Sequence, residues 1–160
     1  MSKFQHAVDK MHAIMERLLE SPLRSRDNLR DIPKEGIYVF YDKKKPLYVG
    51  RSRDLRTRIQ NHSRKSSGRF NATFAFLMAM RKATRDGIKP PRVEPGRKPT
   101  RKDREEDPLF APLFDAAKER VAKMKVQVVE VNDPVEQALF EVYAADRLGT
   151  LGRYNTFDTH

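Results

Sequence analysis

The chain has 160 residues, 38% of them apolar and 34% charged, with a net charge of +11 and no cysteine. That length suits one domain with a real core and is short for two, while the low apolar fraction implies that part of the chain lies exposed. The missing cysteines exclude disulfides, thiolate metal sites and a cysteine nucleophile, and fit a cytoplasmic, intracellular setting. The charge is uneven. Residues 51–104 hold 17 Lys/Arg against 4 Asp/Glu, a local +13, and the rest of the chain sums to −2. Such a block favours a polyanion, most commonly nucleic acid, over a membrane surface, because no basic stretch carries an apolar face. Charged residues interrupt Met1–Leu18, so neither a signal peptide nor a membrane span is expected.

From the N-terminus, Phe4, Ala7, Val8, Met11, Ile14, Met15, Leu18 and Leu19 recur at helical spacing, and Ser21-Pro22 ends that helix. Residues 23–35 are polar without a period. A strand is expected over Gly36–Tyr41, then a loop of about four residues within Asp42–Pro46, then a strand over Leu47–Gly50. Ser52 is the expected N-cap of a helix through Leu55, Ile59 and His62. A second helix is expected from Ala72 to Arg85. Residues 88–107, with four prolines, one glycine and alternating charges, read as a mobile arm. A helix from Pro108 to Lys123, a strand over Val126–Val131 and a helix over Pro134–Leu148 complete the chain. Asp133 caps the last helix, with Val135, Ala138, Leu139, Val142 and Ala145 on its expected apolar face, and Gly149 stops it. The sum is a small α/β domain with an antiparallel sheet. Its expected parts are an N-terminal helix and linker (1–35), a core (36–62 and 125–157) and a basic insertion (63–124).

Hydrolysis of a phosphodiester needs a base near water, cationic stabilisation of the phosphate and often a carboxylate-held metal. Tyr38 and Tyr48 fall on the two hairpin strands, Arg58 on the next helix and His62 four residues later. Glu141, beside the apolar stripe of the last helix, is the leading carboxylate. Singly, each residue has a plainer reading. The tyrosines are ordinary strand aromatics, Arg58 is one basic residue among Arg51, Arg53 and Arg56, Glu136 is a first-turn acid suited to the helix dipole, and Asn155 is a turn residue.

Four pieces together resemble the GIY-YIG endonuclease superfamily. They are Gly36-Ile37-Tyr38, then Tyr48-Val49-Gly50 with Arg58 ten positions after Tyr48, then the helix string from Glu136 to Glu141, and finally Arg153-Tyr154-Asn155. The resemblance covers roughly 36–62 and 125–157. It implies a small antiparallel three-stranded sheet flanked by helices, to which this chain adds an N-terminal helix and a helical, basic insertion. It also implies a metal-dependent endonuclease acting on DNA, with RNA left open. Tyr48, or else Tyr38, would orient or deprotonate water, Arg58 would clamp the phosphate, and Glu141 would hold Mg²⁺ or Mn²⁺. Asn155 would brace the site, and His62 would relay protons or contact the leaving oxygen. Arg51, Arg53, Arg56, Lys98 and Arg101 are the expected nucleic-acid contacts. Three features depart from the family pattern: Leu151-Gly152 stands where a proline is common, Glu141 and Asn155 are fourteen residues apart, slightly more than in the repair members, and residues 63–124 are inserted. Selectivity would come from that insertion, the N-terminal helix or a second copy in a homodimer. Phe70, Phe74 and Phe76 in the insertion suit either base stacking or a helix core, and the core is the stronger expectation. Three functional readings follow: a restriction-type or mobile-element nuclease, a structure-selective repair nuclease, and a non-catalytic nucleic-acid-binding protein on the same scaffold.

Overall fold

A computed structural model describes residues 1–157 of the chain. The elements are α1 (Lys3–Glu20), β1 (Gly36–Asp42), β2 (Lys45–Ser52), α2 (Leu55–Asn61), α3 (Thr73–Arg85), α4 (Arg101–Glu105), α5 (Ala111–Ala122), β3 (Lys125–Glu130) and α6 (Pro134–Arg147). They form two compact units. One comprises Met1–Ile59 and the chain from Met124 onward; the other is Gln60–Lys123.

The first unit is built on a three-stranded antiparallel sheet of order β2-β1-β3. As the central strand, β1 is buried on both faces, which explains its unbroken apolar run. Ile37, Val39 and Tyr41 face a core shared with Met11, Ile14, Met15 and Leu18 of α1 and Phe140, Ala144 and Ala145 of α6. By the strand's alternation, Tyr38 and Phe40 face the other way. The hairpin turn is shorter than the sequence suggests: only Lys43 and Lys44 lie between the strands, with Lys43 at φ 58°. A register shift between Phe40 and Tyr41 accompanies it, and Pro46 is tolerated because β2 is an edge strand.

Three local expectations are corrected. Asp54, rather than Ser52, caps α2: its carboxylate accepts from Thr57 N (3.3 Å) and its carbonyl from Arg58 N (3.0 Å). Ser52 Oγ instead accepts from Asp54 N at 2.9 Å, one step earlier. The buried stripe of α1 is narrower than its apolar pattern, since Phe4, Val8 and Leu19 are exposed. On α6 the buried face is Gln137, Phe140, Ala144 and Ala145, and Val142 is exposed. Asp133 does cap α6, accepting from Val135 N and Glu136 N, and Gly149 follows the helix at φ 75°.

The irregular segment before β1 is tied down by backbone. Arg24 exchanges two hydrogen bonds with Val126 (2.8 and 2.7 Å), covering the outer side of β3, and Leu55 N donates to Lys34 O (2.8 Å). Gln127 adds a buried link: its Oε1 accepts from the Tyr41 hydroxyl (2.7 Å) and its Nε2 donates to Ser21 O (2.8 Å). The end of α1 is thereby fastened to the sheet.

The second unit packs α3 against α5 around Phe74, Phe76, Phe110 and Phe114, with Phe76 and Phe110 centroids 5.0 Å apart. The arm expected to be irregular over 88–107 contains α4, opened by a reciprocal capping box between Thr100 and Asp103. Arg97 bonds both Glu94 and Asp103 at 2.7 Å, so some of the arm's charge is compensated inside it. Among the described residues, no helix is long and apolar enough to cross a membrane.

Candidate active site

The first unit gathers Tyr38, Tyr48, Arg51, Arg58, Glu141 and Asn155. Tyr38 is 1% exposed and lies edge to face with Phe40 (5.7 Å) and 6.4 Å, centroid to centroid, from Tyr48. Tyr48, on the edge strand, keeps part of its surface in solvent. Burial, reinforced by the neighbouring Tyr48, raises the Tyr38 hydroxyl well above its usual pKa; the Arg58 charge and a hydrogen bond from Arg58 oppose this without reversing it. Tyr38 is therefore a neutral phenol that holds a guanidinium.

Gly50 explains how so large a ring fits. It pairs with Tyr38 across the hairpin, and a Cβ there would stand 2.2 Å from the Tyr38 oxygen. Gly36 plays a different part at the start of the same strand: at φ 154°, a Cβ would stand 2.0 Å from the carbonyl oxygen of Val129 on β3. The two glycines thus let a backbone and a phenol approach where any side chain would collide. A glycine inside a strand is itself the sequence signal for such an approach, and Gly50 could have been singled out on that ground.

Glu141 reaches the same place from α6. Its carboxylate lies 3.9 Å from Arg51 Nε and is partly buried. Burial raises its pKa, and the charges of Arg51 and Arg58 pull it down by less. The Arg58 charge thus acts on both Tyr38 and Glu141, which places a phenol, a guanidinium and a carboxylate in one neighbourhood. Glu136, five residues earlier on α6, is occupied by Lys10 at 2.7 Å.

Asn155 is 94% removed from solvent, and its amide matches the backbone of Val49 in both directions. Oδ1 accepts from Val49 N (2.9 Å) and Nδ2 donates to Val49 O (2.7 Å). Val49 is the centre of Tyr48-Val49-Gly50, on the open edge of the sheet. The side chain takes the place of a missing fourth strand and fixes the strand that carries Tyr48. Leu151-Gly152, in place of a proline, does not prevent this: Gly152 N donates to Asn155 O (2.8 Å) and closes the turn.

The remaining expected residues separate. Arg53 and Arg56 are exposed on and before α2. Lys98 and Arg101 belong to the second unit, where the Arg101 guanidinium lies 5.7 Å over the Phe76 ring. His62 directly follows α2, which ends at Asn61, and its side chain has no exposed surface, so it is not a surface histidine. A fully buried imidazole makes no direct contact with a phosphate arriving from solvent. Among the described residues, no three His, Cys, Asp or Glu side chains cluster as a metal cage.

Residues 34–89 match the family model of the GIY-YIG catalytic domain. This supports nuclease activity in general, with DNA as the partner. The matched segment includes Tyr38, Tyr48 and Arg58, while Glu141 and Asn155 lie beyond it. No curated protein and no solved structure matches the chain.

Proposed function

We propose that this protein is a metal-dependent endonuclease that hydrolyses DNA phosphodiester bonds at the Tyr48–Arg58–Glu141 site. The observation that carries the reading is the Arg58 guanidinium, hydrogen-bonded to a buried neutral Tyr38 and within electrostatic reach of Glu141. A guanidinium held from behind presents its remaining N–H donors to two phosphate oxygens. Tyr48, the more exposed phenol, orients the attacking water and passes its proton to solvent. Arg51 holds Glu141 and lies where a second phosphate contact is useful. Asn155 acts through Val49 as a positioning residue.

The donor set fits a single Mg²⁺ or Mn²⁺. Glu141 is one partly buried carboxylate whose burial disfavours its charge, and Mg²⁺ keeps several waters when one carboxylate binds it. When bound, the cation supplies charge neutralisation on the phosphate. His62 and the inserted arm are the two sequence features that lean towards a restriction-type or mobile-element enzyme, and the burial of His62 removes direct phosphate contact from that argument. The choice between that class and a structure-selective repair enzyme rests on substrate preference.

The test is cleavage of supercoiled, linear and branched DNA with and without Mg²⁺. The reading expects Mg²⁺-dependent cuts, and the preferred substrate separates the two nuclease classes. Binding of DNA with no cleavage under any of these conditions would instead establish a non-catalytic binding protein.

A further inference from the structure

The unit formed by Gln60–Lys123 carries 16 Lys/Arg against 8 Asp/Glu, a net +8 that leaves +3 for the rest of the chain. It buries Phe74, Phe76, Phe110 and Phe114, yet Phe70 is 70% exposed. A lone exposed aromatic is unremarkable in a loose loop, but this loop is braced. Lys118 is buried, and its ammonium donates to the carbonyls of Lys65 (2.7 Å) and Ser67 (3.0 Å) on the approach to Phe70. The Phe70 carbonyl accepts from Thr73 Oγ1 (2.9 Å) at the start of α3. The Arg69 guanidinium lies over the Phe70 ring at 4.5 Å and is bonded to Glu105 at 2.7 Å. Gly68 makes room for that carboxylate, since a Cβ there would stand 2.7 Å from Glu105 Oε1. Arg69 is therefore charge-balanced by Glu105, and what it does for Phe70 is fix the plane of the ring.

We infer that Phe70 is a base-stacking residue, giving this protein a preference for DNA with an unpaired or unstacked base over intact duplex. The inference rests on the nuclease reading and names the substrate class for it. A ring already fixed by Arg69 loses little freedom on binding, and stacking suits any base because each has a π-face. In a closed duplex that face is covered except at ends, bulges and single-stranded stretches. The surrounding positive charge holds the backbone without regard to sequence.

The test measures binding in EDTA, so that no cleavage intervenes, using the whole protein with a single-stranded oligonucleotide and a relaxed, covalently closed circular duplex. Phe70→Ala should weaken single-strand binding by between about fivefold and a hundredfold, the range of one lost base stack. Duplex binding should change less than about twofold, and Phe70→Tyr should bind like the wild type. The position is exposed, so all three proteins should melt together. Equal weakening on both DNAs, or none on the single strand, overturns the inference; the second result would assign Phe70 to a protein contact. A wild type that cuts no DNA with Mg²⁺ defeats the nuclease reading and leaves the EDTA comparison to be judged by itself.

Discussion

In the sheet-bearing unit, the polar side chains that turn inward are each held on a specific partner: Asn155 on the Val49 backbone, Gln127 on Tyr41 and the Ser21 carbonyl, Arg58 on Tyr38. In the inserted unit most cations are exposed, and several of those that are held, Arg69 and Arg97 among them, are paired with neighbouring acids. The first arrangement fixes atoms to fractions of an ångström and tolerates little change. The second supplies a field, and any one charge in it is dispensable. A chain that must place one phosphate and also hold a long polyanion needs both, and here they fall in different units.

The sharpest way to break this contrast is at Gly50. Gly50→Ala drives a methyl into the Tyr38 hydroxyl. It should cost about 3 kcal/mol, a fall in melting temperature of roughly 10 °C, with loss of cleavage. A variant that melts like the wild type would mean that Tyr38 has room to move and that the site is not tightly built. Asn155→Ala comes next. It leaves the Val49 N–H and carbonyl without their partner, at about 2 kcal/mol in a denaturant titration, and should speed exchange of the Val49 amide. Unchanged exchange there would show that the edge strand stands without its brace.

Glu141→Gln tests the electrostatics with a smaller effect. Burial raises the Glu141 carboxyl, so folding favours its protonated form. Ionisation therefore subtracts from stability as pH rises through the ordinary carboxylate pKa and on to the raised folded value. Wild type and variant should melt together below that window, and the variant should melt higher at neutral pH. Mg²⁺ should raise the melting temperature of the wild type alone. A wild type that is the more stable at neutral pH without metal would mean that Arg51 and Arg58 outweigh burial. The smallest effect belongs to the inserted unit: Lys98→Ala should change stability by less than about 0.5 kcal/mol and lower the salt dependence of DNA binding by about one counterion.

Elements that announce themselves through local pattern were legible in the sequence. The apolar hairpin strands, the Asp133 cap, the Gly149 stop and the spacing of Tyr38, Tyr48 and Arg58 all follow from rules acting over a few residues. Asn155 was legible only through the resemblance, because its partner Val49 is 106 residues away. What escaped depends on packing between distant segments. Val8 and Leu19 look like core until α1 is docked and only Ala7, Met11, Ile14, Met15 and Leu18 face inward. His62 reads as a site or surface residue until its side chain is seen to be fully buried. Lys118 reads as one more surface lysine, yet it is buried on two carbonyls fifty residues back.

The central claim is that Arg58 clamps the phosphate whose bond is cut, and the rate of plasmid cleavage by Arg58→Ala in Mg²⁺ tests it most directly. Arg58 is partly exposed in the last turn of a short helix, so the variant should fold, with a melting temperature lowered only by the lost bond to the buried Tyr38 hydroxyl. Its cleavage rate should fall by about a hundredfold or more, as expected when a charged transition-state contact is removed. A folded Arg58→Ala protein that cuts within a few-fold of the wild-type rate would contradict the account.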